Sequence, residues 1–262
     1  MSPIVVKVGG HALHRVDASS PVLLDLADDI KSLRSTTSTV VVHGGGPQIA
    51  SLLDQVGLVS EFVDGLRVTS TETMQYVAMA LGLVNQQMTA ALGHAGLAAV
   101  GLSGIDGSLN RATPLGGRLG QVAGTVRIDD RLLRTLIADG WTPVVGPVAG
   151  DDSGGLVNCN ADTVAGALAR AIDAEVLVLL SDVDQLRSDP DDPATALGTV
   201  TGDQVRSMMS EGSIRDGMIP KMQAALDALD AGATRVVLAN GTRPHALLEV
   251  LSGTGSSTEV TR

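Results

Sequence analysis

The segment Thr39–Pro47 constrains the fold of this chain most, because a short apolar strand runs directly into three consecutive glycines. The β-branched residues Thr39–Val42 predict a buried strand, and a helical pattern begins at Gln48. Glycines in a row cost backbone entropy, so they indicate either a close approach to the backbone or a turn with positive φ. Here a strand leads through a glycine turn into a helix whose first turn contains Pro47. In this arrangement free backbone N–H groups point toward one position, as they do in phosphate-binding sites. From this segment alone, both interpretations stay open.

A second strand with the same ending makes the phosphate site the better interpretation. Ile4–Val8 is β-rich, it ends at Gly9 and Gly10, and it contains Lys7. A lysine in a buried strand needs an anion to face. Neither glycine turn fits the dinucleotide pattern G-x-G-x-x-G, and no P-loop pattern occurs in the chain.

Composition narrows the class of protein. The 262 residues include one Trp, one Tyr and one Phe, so the core is predicted to be aliphatic. The formal net charge of −11 argues against nucleic acid or an anionic membrane as a partner. A single cysteine, Cys159, excludes an internal disulfide and fits a reducing compartment. With no signal peptide and no apolar run long enough for a membrane span, we expect a soluble cytoplasmic protein.

The three lysines stand out against 15 arginines. Where arginine carries most of the surface charge, a lysine indicates a position that needs a compact ammonium group. Lys31 lies in the amphipathic run Leu23–Leu33 and is predicted to be a solvated helix residue. Lys221 follows Pro220 in the first turn of a predicted helix, where its charge opposes the helix dipole. Lys7 and Lys221 are therefore the leading candidates for a functional site.

Three other segments carry polar groups in unusual places. Arg67, within Gly65–Thr69, is either a solvated hairpin residue or a carboxylate clamp. The next segment, Thr69-Ser70-Thr71-Glu72, predicts a capping box at the start of a long helix. Asn158, Asn160 and Asp162 alternate before an alanine-rich helix, as a ligand platform or as a helix-capping cluster.

The alternation of strands and helices predicts a parallel sheet, with ligands beyond the carboxyl ends of its strands. Ser181 and Asp182 follow the apolar strand Glu175–Leu180 at such an end. A glycine-rich stretch over Arg111–Ile128 predicts hairpins, and helices are predicted over Gly202–Ser210 and Met218–Ala231. The five histidines have no metal-ligand spacing.

Taken together, six motifs in this order resemble the amino acid kinase family, and the resemblance runs nearly end to end. It rests on Lys7-Val8-Gly9-Gly10, His43-Gly44-Gly45-Gly46, Gly65-Leu66-Arg67-Val68-Thr69, Asn158-Cys159-Asn160-Ala161-Asp162, Leu180-Ser181-Asp182-Val183 and Asp216-Gly217-Met218-x-x-Lys221. The resemblance implies a three-layer αβα sandwich with an open, mainly parallel eight-stranded sheet. It also implies a homodimer, an acyl amino acid lobe over residues 1–173 and an ATP lobe over residues 174–262.

The implied reaction transfers the γ-phosphoryl group of MgATP to the side-chain carboxylate of N-acetyl-L-glutamate, for arginine synthesis. Carried over by position, Lys7 and Lys221 neutralise the transferring group and Asp162 positions both lysines. The backbone amides of the glycine turns hold its oxygens, Arg67 and Asn158 bind the substrate, and Ser181 and Asp182 belong to the nucleotide site. The glycines concerned are Gly9, Gly10, Gly44 and Gly45. The resemblance implies no protein ligand to Mg²⁺, which the phosphates hold.

Two other functions stay open from the sequence. One is a related kinase for aminoadipate or glutamate linked to a carrier protein, and the other is a regulatory relative without turnover. The Arg67 and Asn158 motifs favour the free acetylated substrate, and the retention of Lys7, Asp162 and Lys221 favours catalysis. The chain departs from the family at Asp184-Gln185-Leu186, where a glycine is usual in the nucleotide loop. Arginine-inhibited hexamers of the family carry an extra N-terminal helix, and because the first strand begins by Ile4 we expect a dimer without that feedback.

Overall fold

Runs of β-branched and aliphatic residues form the central strands, and the glycine-rich and polar segments between them form turns. The computed structural model describes residues 2–215, 217–230 and 233–262, and of Gly10 and His11 it describes the backbone only. Asp216 of the last motif and Ala231, at the predicted end of a helix, lie outside the described residues.

The strands and helices alternate along the chain as predicted. The described strands are β1 Ile4–Val8, β2 Thr39–His43, β3 Phe62–Val63, β4 Leu66–Arg67, β5 Ala99–Ser103, β6 Asn110–Gly116, β7 Gly120–Ile128, β8 Thr142–Gly146, β9 Val148–Gly150, β10 Leu156–Asn158, β11 Val176–Ser181, β12 Leu186–Arg187, β13 Ala196–Leu197, β14 Thr199–Thr201, β15 Arg235–Asn240 and β16 Ser257–Thr261. The described α-helices are α1 Pro21–Leu33, α2 Gly46–Gln55, α3 Thr71–His94, α4 Arg131–Ala138, α5 Ala161–Ala171, α6 Gly202–Ser210, α7 Met218–Asp230 and α8 Ala246–Ser252.

Eight strands form one sheet in the order β14-β16-β15-β11-β1-β2-β8-β5. Every neighbouring pair is parallel except β15 with β16, so β14 and β16 run against the other six strands. This confirms the expected open, mainly parallel eight-stranded sheet. The strands of residues 4–146 form one half of the sheet and those of residues 176–261 the other, with β1 and β11 adjacent at the centre.

Helices cover both faces of this sheet, which gives the expected αβα sandwich. One core cluster joins alternate strand residues such as Val5, Leu177 and Val236 to helices α4 to α7. A second cluster joins the other strand residues, such as Val6 and Val178, to α1, α3 and α8. Burying apolar side chains on both faces stabilises the layered arrangement. Among the described residues, no helix is long and apolar enough to cross a membrane.

Candidate active site

The most unusual feature of the molecule is a buried cluster of three charged side chains at the carboxyl ends of the central strands. Lys7 Nζ lies 2.8 Å from Asp162 Oδ1, and Lys221 Nζ lies 3.3 Å from Asp162 Oδ2. Lys7 is 4% exposed and Asp162 is 3% exposed. Two ammonium groups thus share one carboxylate, so the cluster carries a net positive charge where an anion would be attracted.

Local sequence explains why these residues meet. Side chains alternate along β1, so Lys7 points to the same face as Val5, the face that α5 and α7 cover. Asn160 is the N-cap of α5 and accepts hydrogen bonds from the N–H groups of Asp162 and Thr163. Asp162 therefore sits in the first turn of that helix. Lys221 lies in the first turn of α7, as predicted, and reaches Asp162 from the other half of the sheet.

The charged groups of the cluster shift one another's pKa values. Burial alone raises the pKa of Asp162, but the positive charges of Lys7 and Lys221 outweigh burial and hold this pKa below its usual value. Burial lowers the pKa of Lys7, and the attraction of Asp162 and Asp182 offsets part of that effect. Asp162 therefore stays ionised, and its negative charge favours the protonated form of Lys7 in a place where an isolated ammonium would be costly.

The glycines of the two turns make room rather than provide positive φ. A Cβ on Gly9 would lie 2.3 Å from Lys7 Nζ, and a Cβ on Gly45 would lie 2.7 Å from the Leu81 side chain. Neither glycine has a φ in the left-handed region, since the φ of Gly45 is 174°. The close-approach interpretation is therefore right for these two positions. Gly46 differs, because nothing lies within 4 Å of its Cβ position.

Two of the four backbone amides that the resemblance assigned to phosphate are already engaged. The N–H of Gly9 donates to the Leu180 carbonyl at 3.1 Å, and the N–H of Gly44 donates to the Val8 carbonyl at 2.8 Å. These groups extend the sheet and are not free to bind oxygens as predicted. Within the part of the chain that the structure describes, the N–H of Gly45 makes no hydrogen bond.

A cavity of about 210 Å³ opens beside the cluster and contains most of the predicted substrate ligands. Its lining includes Lys7, Arg67, Asn158 and Asp162 together with the Gly44–Gly46 turn. Arg67 is buried, donates to Ser60 Oγ and to the Gly46 carbonyl, and stacks 4.7 Å from the centre of the Phe62 ring. Burial lowers the pKa of Arg67, and in the described chain no carboxylate pairs with it. Burial of Arg67 excludes the solvated hairpin residue, one of the two interpretations of this segment.

Thr69 organises this cavity, a role that the sequence did not predict. Its hydroxyl donates to the Arg67 carbonyl at 2.7 Å and accepts from Asn158 Nδ2 at 3.0 Å. The predicted capping box is wrong in register, because the N-cap of α3 is Ser70, which accepts from the Thr73 N–H. The Thr69 side chain is held by its two partners and is not available to cap.

A second cavity of about 450 Å³ lies on the other half of the sheet, after β11. The segment Asp182–Arg187 forms one wall, and Ile214, Arg215 and Met218 belong to another. Ser181 is buried and does not line this cavity, since its hydroxyl accepts from the Val183 N–H. Gln185 stands in the loop where the family usually has a glycine, and it lines this cavity without closing it. Its side chain donates to the Ser257 carbonyl and so ties the loop to β16.

Comparisons with known proteins agree with the fold. Residues 2–240 match the model of the amino acid kinase family. The acetylglutamate kinase of Symbiobacterium thermophilum is 40% identical over 270 residues, which cover 99% of this chain and 91% of that protein. The chloroplastic acetylglutamate kinase of Arabidopsis thaliana is 40% identical over 262 residues, with 98% and 75% covered.

Solved structures share the same architecture. The structure of smu.665 from Streptococcus mutans UA159 superposes with a TM-score of 0.80 at 27% identity, covering 90% of this chain and 94% of that one. Carbamate kinase from Giardia lamblia bound to AMP-PNP superposes with a TM-score of 0.69 at 16% identity, covering 99% and 98%, which is a likeness of fold alone. With its sheet order, its lysine cluster and these relatives in agreement, the chain belongs to the amino acid kinase family.

Proposed function

We propose that this protein phosphorylates the side-chain carboxylate of N-acetyl-L-glutamate with ATP, forming the 5-phosphate used in arginine biosynthesis. The observation that carries the proposal is the pair of ammonium groups around Asp162, next to two cavities. Lys7 and Asp162 line the smaller cavity, while Asp182 and Met218, on the segments beside the cluster, line the larger one. Curated relatives at about 40% identity are named for this reaction.

The chemistry fits a cluster without a strong base. A carboxylate oxygen of the acceptor attacks the γ-phosphorus, the bond from that phosphorus to the bridging oxygen breaks, and ADP leaves. No proton moves, because the attacking carboxylate is already ionised. Phosphoryl transfer needs alignment and charge neutralisation, which Lys7 and Lys221 supply from opposite sides. Asp162 holds the two ammonium groups at fixed positions.

The smaller cavity is proposed to bind the acyl amino acid. Arg67, buried without a carboxylate partner in the described chain, pairs with the α-carboxylate of the substrate. Asn158, oriented by Thr69, binds the acetamido end. With these two ends fixed, the side-chain carboxylate of glutamate would point to Lys7, which lines the same cavity.

The larger cavity is proposed to bind ATP. Asp182 and the loop to Arg187 lie on the half of the sheet formed by residues 174–262, the proposed nucleotide lobe, whereas residues 1–173 form the acyl amino acid lobe. Mg²⁺ would be held mainly by the phosphates of ATP. The ion would neutralise charge on the β- and γ-phosphates.

We also propose a cytoplasmic homodimer that uses the outer surface of α2 and α3. Met79 is 62% exposed and Leu83 is 56% exposed, and both line an apolar groove of about 580 Å³ with Leu52. Exposed apolar side chains in one groove favour a protein contact. Light scattering of the wild type and of Leu83→Glu tests this: a dimer and a monomer are expected, and a monomeric wild type would contradict the dimer. The buried free thiol of Cys159 fits a reducing compartment.

Trapping of the acyl phosphate with hydroxylamine tests the proposed reaction. The purified protein is incubated with MgATP and N-acetyl-L-glutamate, and in parallel with L-glutamate or N-acetyl-aminoadipate. We expect clear turnover with a preference for N-acetyl-L-glutamate, and for Lys7→Ala a rate lower on the order of 10²–10³-fold. Absence of product with all three acceptors would refute the proposal and favour a carrier-linked acceptor or a role without turnover.

A further inference from the structure

We propose that His43 is a positioning residue for phosphoryl transfer, because its ring holds the Gly44 carbonyl and so directs the Gly45 N–H at the transferring group. This inference rests on the proposed kinase reaction and adds a residue outside the charged cluster. His43 is the last residue of β2, directly before the glycine turn.

Two contacts fix the tautomer of the His43 ring. Its Nδ1 lies 2.8 Å from the Gly44 carbonyl oxygen, which only accepts, so Nδ1 carries the proton. Its Nε2 lies 3.1 Å from Asn85 Nδ2, which only donates. Asn85 Nδ2 is itself oriented by the carbonyl oxygens of Val144 at 2.8 Å and Leu102 at 3.2 Å. The contact with the Gly44 carbonyl requires the proton on Nδ1, and Nε2 faces a donor-only atom, where a second proton would have no acceptor.

The surrounding strands are shaped to hold this pair of side chains. A Cβ on Gly101 would lie 2.3 Å from Asn85 Oδ1, and a Cβ on Gly146 would lie 3.1 Å from His43 Nε2. A side chain on Gly101 would collide with Asn85, and one on Gly146 would press on the His43 ring. His43 is fully buried, so its ring orientation is set by packing as well as by hydrogen bonds. A buried polar pair with fixed partners can hold a neighbouring peptide rigidly.

The peptide bond transmits this orientation to the cavity. A trans peptide is planar, so the Gly45 N–H points opposite to the Gly44 carbonyl. His43 draws that carbonyl into the protein, and the Gly45 N–H is thereby turned away from His43. Gly44 and Gly45 both line the cavity beside Lys7. Since the N–H groups of Gly9 and Gly44 are engaged in the sheet, the Gly45 N–H is the donor left for a phosphoryl oxygen among these three.

The ring keeps its proton arrangement over the working pH range. Burial lowers the pKa of His43 to about 4, and the Gly44 carbonyl offsets part of that effect. The ring is therefore neutral near pH 7, with Nδ1–H as a permanent donor. His43 should accordingly add no inflection to the pH–rate profile near its ordinary pKa of about 6.5.

A matched pair of substitutions separates the two ring nitrogens. His43→Asn keeps an N–H donor near the position of Nδ1, whereas His43→Gln keeps one near Nε2, beside Asn85. We expect kcat to fall on the order of 10²-fold in His43→Gln and to stay within about tenfold of wild type in His43→Asn. The KM values for both substrates should change little in either variant. Affinity for MgADP with aluminium fluoride and N-acetyl-L-glutamate, which mimics the transition state, should fall only in His43→Gln.

Thermal unfolding of both variants and the ring tautomer of the wild type complete the test. We expect similar melting temperatures for the two variants, and nitrogen NMR should show Nδ1 protonated and Nε2 unprotonated between about pH 5.5 and pH 9. Equal kcat values in the two variants, or a wild-type ring protonated on Nε2, would overturn the role of His43. A wild type that makes no acyl phosphate would instead refute the kinase reaction itself.

Discussion

Replacing Asp162 with asparagine should destabilise the protein strongly and in a pH-dependent way. The carboxylate oxygens lie 2.8 Å and 3.3 Å from the two lysine nitrogens, and the side chains of Lys7 and Asp162 are each 5% exposed. At an effective dielectric constant of about 20, these distances correspond to roughly 6 and 5 kcal/mol of attraction. Desolvation and the repulsion between the lysines cancel much of this, and removing one partner of a buried pair costs about 3–5 kcal/mol.

The sign of the pH dependence follows from Lys7. Burial places its folded pKa below the unfolded value, and without Asp162 that pKa falls further because an attraction is lost. Between the folded and unfolded values, the unfolded chain binds more protons, so the stability of the variant rises with pH. Wild type gains stability with pH in the same way, but only above its own, higher Lys7 pKa. The deficit of Asp162→Asn relative to wild type should therefore be about 3–5 kcal/mol where Lys7 is protonated in both proteins, and narrow as the pH rises from the Lys7 pKa of the variant to that of the wild type.

Urea unfolding at about pH 7 and pH 9.5 measures this deficit. Asp203→Asn is a matched control, because Asp203 also pairs with a basic residue, Arg206 at 3.1 Å, but its side chain is 95% exposed. The control should leave the free energy of unfolding nearly unchanged at both pH values. A deficit below about 1 kcal/mol for Asp162→Asn, or a deficit larger at about pH 9.5 than at about pH 7, would show that Asp162 does not stabilise the charged form of Lys7.

Three further predictions concern the surroundings of the site. Thr69→Val removes the hydroxyl that orients Asn158, so the KM for N-acetyl-L-glutamate should rise about tenfold while the KM for ATP stays unchanged. Thr69→Ser keeps the hydroxyl and should have the wild-type KM for N-acetyl-L-glutamate. The same KM for this substrate in wild type and Thr69→Val, measured in steady-state assays, would contradict the prediction. Gly9→Ala should lower kcat on the order of 10²-fold, because the new Cβ displaces the Lys7 side chain. Gly93→Ala is the control, since its Cβ meets open space, and should have normal turnover. A normal rate for Gly9→Ala would show that Lys7 reaches its position in another rotamer. The hydrogen bond to Asp29 and the nearby Asp25 and Asp28 raise the pKa of His245, so the stability that the charged ring contributes is present below about pH 6.5 and is lost as the pH rises through the raised pKa. The difference in urea midpoint between wild type and His245→Gln should therefore shrink between about pH 6 and pH 8.5. A constant difference would show that the charge of His245 does not stabilise the fold.

The sequence predicted the parts of the molecule that depend on local pattern. Apolar strands alternate with amphipathic helices, so the parallel sheet followed from periodicity, and α6 has the predicted bounds Gly202–Ser210. The scarcity of lysine indicated Lys7 and Lys221, and the structure brings both to Asp162. A buried ammonium group needs a partner, which is a strong constraint on where a lysine can lie.

Features that depend on contacts between distant segments were not predictable in this way. Thr69 meets Asn158 from 89 positions away along the chain, and no local pattern encodes that contact. The capping register failed because Thr69 and Ser70 are both good N-caps, and tertiary partners decide between them. Ser181 was assigned to the nucleotide by its place after a strand, but its hydroxyl serves the turn.

The rate of acyl-phosphate formation in a single turnover shows whether Lys7 and Lys221 act in phosphoryl transfer. With N-acetyl-L-glutamate and MgATP saturating, this rate is compared among wild type, Lys7→Ala and Lys221→Ala. If the two ammonium groups neutralise the transferring phosphoryl group, each substitution lowers the rate on the order of 10²–10³-fold. A rate close to wild type in both variants would contradict the account.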